Sequence, residues 1–211
     1  MPHPYWPLFD LRLTAGDLML RPVTEADLVP LARIQPADLE TDPGLPALSD
    51  DPAQRHAMTV FQSYWERVGG WRPDDWKLPF AVFTGGALVG WQELEARDFA
   101  ALRTVETSSW LTPSAQGRGL GKRMRIAVLA LAFEGLAAQA AQTEAWHDNA
   151  ASLGVSTAVG YADNGRTRHR RGTGADDMVR LRMTRAQWQA RHPDHGVRID
   201  NLPPCRHMFG A

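Results

Sequence analysis

Apolar positions along the chain change period several times, and each change marks an element. Leu11 to Arg21 contains Leu18-Met19-Leu20-Arg21, a short strand. Thr24 follows as an N-cap, with Asp27 three residues on, a capping-box-like start. The helix it opens carries Leu28, Leu31 and Ala32 inward, with Ile34 a further candidate. Pro30 is tolerable there only within the first turns. A second helix spans Ala53 to Val68, with Met58, Phe61 and Trp65 at spacings of three and four, and Gly69-Gly70 stops it. Trp71 to Leu78 reads as a connector. Phe80 to Phe83 and Ala87 to Leu94 flank Gly85-Gly86, a β-hairpin signature. Arg97 to Arg103 is a second connector, and Thr104 to Thr112 a strand-like run closed by Pro113.

A long apolar stretch with helical spacing follows, Leu120 to Ala141, with Leu120, Met124, Val128 and Leu131 on one stripe. Its second half is alanine- and leucine-rich, which predicts burial on more than one side. Thr143 to His147 is a short strand. Asn149 offers an N-cap to a helix over Ala150 to Val159 that Gly160 ends. Tyr161 begins another strand, Arg166 to Gly174 reads as a basic turn, and Met178 to Met183 as the last strand. Trp188 sits on a terminal helical turn. The order β-α-α-β-β-β-α-β-α-β-β is that of an α/β layered domain, covering residues 11–191. Residues 1–10 read as an irregular arm, and 192–211 as a tail, loose or draped over the surface.

Composition narrows the function. The 211 residues carry Lys+Arg 23 against Asp+Glu 24, a net charge of −1. That balance argues against a general nucleic-acid binder, which carries a basic excess. A single cysteine, Cys205, excludes an internal disulfide framework and fits a reducing compartment, so a cytoplasmic protein is expected. No apolar run reaches the roughly 18 residues of a membrane span. The first ten residues hold Pro2, Pro4 and Pro7 and lack the basic head and apolar core of a signal peptide. The histidines show no metal-ligand spacing, so no metal is expected.

The chemistry concentrates in Gln116 to Gly121, Gln-Gly-Arg-Gly-Leu-Gly. Three glycines at a strand-to-helix junction leave backbone N–H groups uncovered and aim them from the positive end of a helix dipole. That is a phosphate site made of main chain. Two nucleotide loops are excluded by offsets. A Walker loop needs Gly where Gln116 stands and a hydroxyl where Arg123 stands; a dinucleotide fingerprint starting at Gly117 needs its third Gly at Lys122.

What matches is Gln/Arg-x-x-Gly-x-Gly/Ala, as Gln116, Gly119 and Gly121. Here the chain resembles the GNAT superfamily of acyl-CoA N-acyltransferases. Leu18-Met19-Leu20-Arg21-Pro22 with Asp27-Leu28, Val89-Gly90, Trp110-Leu111-Thr112-Pro113, Asn149 with Ser152, and Gly160-Tyr161 are similar to its RimJ/RimL branch, which acetylates N-terminal amines of ribosomal proteins. The match runs over roughly residues 18–185. The resemblance implies a mixed, mostly antiparallel central sheet of about seven strands flanked by about four helices. It implies acetyl-CoA as cosubstrate, held by Trp110, Leu111, Thr112, Gln116, Gly117, Arg118, Gly119, Leu120, Gly121, Lys122, Asn149 and Ser152. It also implies an amine acceptor, a monomer or homodimer, and neither nucleic acid nor membrane as partner.

The implied reaction is direct attack of an amine on the thioester in a ternary complex; Cys205 lies far from the loop in sequence. The amine must be neutral, the oxyanion needs a donor, and the leaving thiolate benefits from a proton. An α-amine with pKa near ~8 is about one-sixth neutral at pH 7, and a lysine near ~10.4 about 0.04%. A strong base is thus dispensable for an N-terminal amine. Candidate bases are Glu106, on the strand feeding the loop, Glu93 and Glu95 on the hairpin, and Glu144 before Asn149. Many family members place a Tyr acid where this chain has Ser156, so Ser152 becomes the candidate proton donor. The acidic 36–52 loop stands where the family builds an acceptor wall, and Trp65, Trp71, Trp76 and Trp91 are candidates to line an acceptor pocket. Alternatives are a small-molecule amine acetyltransferase and a catalytically inactive CoA-binding module.

Overall fold

Alternating side chains on nine strands build one sheet with a helical layer on each face. The computed structural model describes residues 3–40, 42 and 44–211. The strands are β1 (Arg12–Ala15), β2 (Leu18–Pro22), β3 (Asp75–Thr84), β4 (Ala87–Arg97), β5 (Thr104–Leu111), β6 (Ala140–Trp146), β7 (Ala162–Arg171), β8 (Gly174–Thr184) and β9 (Arg198–Asp200). Their spatial order is β7-β8-β6-β5-β4-β3-β2-β1-β9. All neighbours are antiparallel except β5 and β6. The helices are α1 (Glu25–Ile34), α2 (Pro52–Gly69), α3 (Phe99–Leu102), α4 (Leu120–Ala130), α5 (Ala150–Val159) and α6 (Arg185–Arg191).

On one face α4 packs over Leu13, Leu20, Leu94, Val105 and Leu181, presenting Met124, Ala127 and Val128. On the other, α1 and α2 set Leu28, Leu31, Val60 and Tyr64 against Ala81 and Trp91. The Asp27 carboxylate takes the Thr24 N–H at 2.8 Å and both ends of the Arg21 guanidinium, at 2.7 and 2.6 Å. Burial raises the Asp27 pKa; these donors outweigh it and hold the carboxyl below its ordinary value.

The sheet has two strands more than expected. β1 and β9 form a pair, Leu13 opposite Ile199, and this pairing draws the C-terminal segment onto the sheet. The tail is therefore neither loose nor merely draped. Cys205 and Phe209 are fully buried, and the Phe209 ring lies 4.9 Å from Trp76 and 5.5 Å from Trp71. The two indoles donate to the Met208 and Phe209 carbonyls at 3.0 and 3.2 Å. Trp71 and Trp76 are thus core residues, not walls of an acceptor pocket. The expected arm contains a 3-10 turn, Pro7–Asp10, with Leu8 buried.

Three boundaries also differ. The connector before the hairpin ends early, because β3 begins at Asp75 and buries Trp76 and Leu78. The long helix stops at Ala130, passes through a π turn at Leu131–Gly135, and gives way to β6 by Ala140. A run apolar on every side carries no period to mark that exchange. The basic turn is mostly strand: Arg166, Arg168 and Arg170 lie on β7, and the turn is confined to Gly172-Thr173. Charge on an exposed edge strand opposes pairing with another chain.

Removing the Phe209 ring empties a site shared with two aromatic neighbours, Trp71 and Trp76. Phe209→Ala is expected to cost about 3–5 kcal/mol in denaturant unfolding; a loss below about 1 kcal/mol means that the tail is not part of the core.

Candidate active site

The parallel pair is short. β5 and β6 meet only at Thr104–Ala140, Val105–Ala141 and Glu106–Gln142. Beyond that point β5 stays with β4 as far as Gly90–Leu111, and β6 stays with β8 as far as Trp146–Met178. The sheet therefore opens as a fork between residues 107–111 and 143–146. At its vertex side chains replace the ladder: the Thr143 hydroxyl donates to the Thr107 carbonyl at 2.9 Å, and the Thr107 hydroxyl lies 3.2 Å from that of Tyr161. Two carbonyls of the β5 arm accept from side-chain amides, Ser108 from Gln92 at 2.8 Å and Leu111 from Gln116 at 3.0 Å. Trp110, Leu111 and Thr112 form the end of this arm.

The glycine loop continues directly from it. Gly117 and Gly119 take left-handed backbone angles, φ 69° and 75°, which an L side chain adopts only at a cost. A Cβ on either would point into open space. Gly119 is the N-cap of α4 and offers no side-chain cap, so the first N–H groups of α4, at Leu120, Gly121 and Lys122, have no capping side chain. No acidic residue stands in that first turn, and Arg118 and Lys122 are exposed beside it. Uncapped amides, open space and cations of this kind fit a pyrophosphate. Gly121 serves packing: a Cβ there would lie 3.1 Å from Val155, which brings α5 against the loop. Arg123 is engaged elsewhere, donating to Ala15 O at 2.8 Å and to Asp17 at 2.6 Å.

Asn149 caps α5, its side chain accepting from the Ser152 N–H at 3.0 Å. Ser152 is half-buried in the first turn. Ser156, where a Tyr acid is expected by resemblance, is buried and donates back to the Ser152 carbonyl at 3.0 Å, a bond that stays within the helix.

On the α2 side of the fork lies a pocket of about 210 Å³. Its floor is Trp91, Glu93, Ser108, Ser109 and Trp110; its walls are Thr59, Ser63 and Arg67 of α2, and Leu39, Glu40, Asp42 and Leu45 of the acidic loop. Trp65, by contrast, is exposed on α2. Of the four carboxylates predicted as bases, only Glu93 lines this pocket. It is buried and forms a bidentate pair with Arg67 through Nε and Nη2. Burial lowers the Arg67 pKa; the charge and hydrogen bonds of Glu93, together with the charges of Glu66 and Glu95, outweigh it and hold the guanidinium above its ordinary value. Glu106 shares the face but is exposed, opposite Glu95 near the start of β5. Glu144 stands on the β6 arm, 3.5 Å from His169. Arg171 ties the acidic loop to the far side of the fork. It bridges Glu40, Asp148 and Asp176 at 2.8, 2.9 and 3.0 Å and lies over the Trp146 ring. Among the described residues no group of three His, Cys, Asp or Glu side chains is placed to hold a metal.

Sequence reasoning passed over Arg67 as a site residue. Arg67 had a signal: it falls on the apolar stripe Val60–Tyr64 at helical spacing, where a charge needs a partner. The sequence places Arg171 only in a basic turn, because its three partners come from separate segments.

Two outcomes test this geometry. Gly119→Asp combines left-handed strain with a negative charge at the cradle; calorimetry is expected to find CoA binding abolished with the fold retained, and unchanged affinity refutes the assignment of the loop. Glu95 is held at a pKa of about 7, by burial first and then by Glu93 and Glu106, with Lys77 opposing. A carboxyl whose folded pKa exceeds its unfolded one loses stability as pH rises, here from about 4.5 through about 7. Glu95→Gln is therefore expected to stabilise the protein by about 1–3 kcal/mol at pH 8 and hardly at pH 4; an equal effect at both denies the shift.

A family model described as Acetyltransferase (GNAT) domain matches residues 17–162. RimJ from Mycobacterium smegmatis, solved in complex with CoA-disulfide, superposes with a TM-score of 0.68 at 25% sequence identity, covering 88% of this chain and 92% of that one. Spermidine N-acetyltransferase from Vibrio cholerae, in complex with CoA and spermine, has a TM-score of 0.64 at 15% identity, covering 82% of this chain and 98% of its own, and shares the fold. The likeness to RimJ agrees with the RimJ/RimL-like branch. With the family match running from the turn before β2 to the start of β7, across the fork and the glycine loop, this chain belongs to the GNAT acetyltransferase family and is an enzyme that acetylates amines.

Proposed function

We propose that the protein transfers an acetyl group from acetyl-CoA to the α-amine of a peptide or protein, by direct attack in a ternary complex. The observation that carries this reading is the continuity of fork, uncapped α4 N-terminus and acid-walled pocket around one stretch, Ser108 to Lys122. The pyrophosphate of CoA lies on the amides of the glycine loop, with Arg118 and Lys122 beside it. The pantetheine arm follows Trp110 to Thr112 into the fork, between β5 and the N-terminus of α5 with Asn149 and Ser152. The sequence resemblance to the RimJ/RimL branch supports a peptide acceptor.

The acceptor enters from the pocket. Glu40 and Asp42 on its wall attract a cationic amine. Glu93 is the carboxylate beside the attacking nitrogen, because it lines the pocket where Glu106 and Glu144 do not. An α-amine, already about one-sixth neutral at pH 7, requires no strong base. Ser152 protonates the departing thiolate, since the hydroxyl of Ser156 is held within α5. The pocket is small, and Arg171 closes its loop wall toward β7 and β8. A single terminal residue fits better than a long peptide, which keeps a small primary amine as the second reading.

Thiol release separates the two: peptides with free N-termini are expected to outpace polyamines and amino-acid amides, and the reverse order favours the small-molecule reading. Glu93→Gln is expected to lower kcat/KM by about 10² on the preferred amine with CoA affinity unchanged. Glu106→Gln should stay near wild type, and a larger loss there than at Glu93 moves the base to Glu106.

A further inference from the structure

Arg125 is a buried cation with 2% of its surface exposed. It projects from α4 to the vertex of the fork and meets only neutral oxygens there. Nη1 donates to the Thr143 hydroxyl at 3.2 Å and Nη2 to the Ser109 hydroxyl at 3.3 Å, while Nε has no partner among the described residues. Burying a guanidinium without a carboxylate costs several kcal/mol, so its retention here calls for a reason beyond packing.

The two hydroxyls that accept from it differ in one respect. Thr143 has a use for its proton, donated to the Thr107 carbonyl at 2.9 Å. Ser109 accepts from Arg125 and donates to no group among the described residues. A hydroxyl has one proton, and a charged donor on its oxygen strengthens the bond that proton makes. Ser109 also lines the pocket beside Trp110 and Ser108, on the arm of the fork that the thioester follows.

We infer that Ser109 is a catalytic hydrogen-bond donor to the thioester oxygen, and that Arg125 is the positioning residue that turns and polarises it. This rests on the transfer reaction proposed above. The amine lone pair forms the C–N bond while the carbonyl π pair moves onto oxygen. Ser109 donates to that oxyanion and keeps its proton, and the unpaired charge of Arg125 is compensated only at this stage. Collapse restores the carbonyl and breaks the C–S bond; the electron pair leaves with sulfur, which takes a proton, and the amine nitrogen loses one. Charge matching at the oxyanion and not in the ground state is what accelerates the step.

The test is a double-mutant cycle on the full chain, with acetyl-CoA and a short peptide bearing a free N-terminus. Ser109→Ala is expected to lower kcat on the order of 100-fold, with KM for acetyl-CoA and CoA affinity by calorimetry within about twofold. Ser109→Thr, which keeps the hydroxyl, is expected to recover most of that loss. Arg125→Met removes a buried charge at similar volume, so its melting temperature should not fall, and its kcat should drop about tenfold or more. Because Arg125 acts through Ser109, the double variant should be no slower than Ser109→Ala. A Ser109→Ala enzyme within about threefold of wild type in kcat overturns the inference, and so do single losses that multiply in the double variant. Where Arg125→Met does not fold, the Ser109→Ala and Ser109→Thr pair decides alone. A wild type that binds CoA but releases no thiol with any amine fails the transfer reading itself, which is a separate outcome.

Discussion

The structure depends on an interrupted ladder. β5 and β6 run parallel for three residue pairs and then part, each following its antiparallel neighbour. A sheet of this size holds together because every strand has two partners or a protected edge. Opening it in the middle exposes backbone on two strands and removes core contacts. The protein offsets this locally: Thr143 and Thr107 carry hydrogen bonds across the vertex, Gln92 and Gln116 occupy carbonyls on the β5 arm, and α4 packs beneath. What remains uncovered is the slot in which an extended ligand can complete the ladder, as a peptide does at a sheet edge.

The chemistry follows from what lies at the two ends and two sides of that slot. At its open end are the amides of an uncapped helix and two left-handed glycines, which neither screen nor repel a diphosphate. At its closed end lies a guanidinium facing only hydroxyls. On the α2 side stands a carboxylate that α2 itself neutralises through Arg67. Positive charge therefore gathers at the glycine loop and the vertex, and negative charge at the pocket on the α2 side. The fold keeps these apart because alternate residues of β4 and β5 point to opposite faces of the sheet: Val105, Thr107 and Leu111 toward α4, Glu93 and Trp91 toward α2.

Much of this was legible from local signals. Gly-Gly at 85–86 marked the β3–β4 hairpin, Asn149 marked the start of α5 and Gly160 its end, and the glycine spacing at 117–121 marked the entry to α4. Each is a short-range requirement of backbone geometry, so sequence states it directly. The misreadings share a different cause. Ala140–Ala141 continued an apolar run without a period, yet belongs to β6 because β5 and β8 lie on either side of it. The 192–211 segment looks polar and proline-broken, yet Phe209 completes an aromatic cluster whose other members, Trp71 and Trp76, lie more than a hundred residues earlier.

By itself, then, the sequence determined the element order, the glycine loop and the family, because those rest on residues adjacent in the chain. The tertiary structure decided which carboxylate lines the pocket on the α2 side. Glu93, Glu95, Glu106 and Glu144 are alike as strand residues, and only strand pairing and the reach of Arg67 from α2 set Glu93 in the pocket floor. It also decided that Ser109 and Arg125, sixteen residues apart with the glycine loop between them, meet at the vertex of the fork. A side chain's charge environment is a sum over neighbours in space, and the chain specifies those neighbours only by folding.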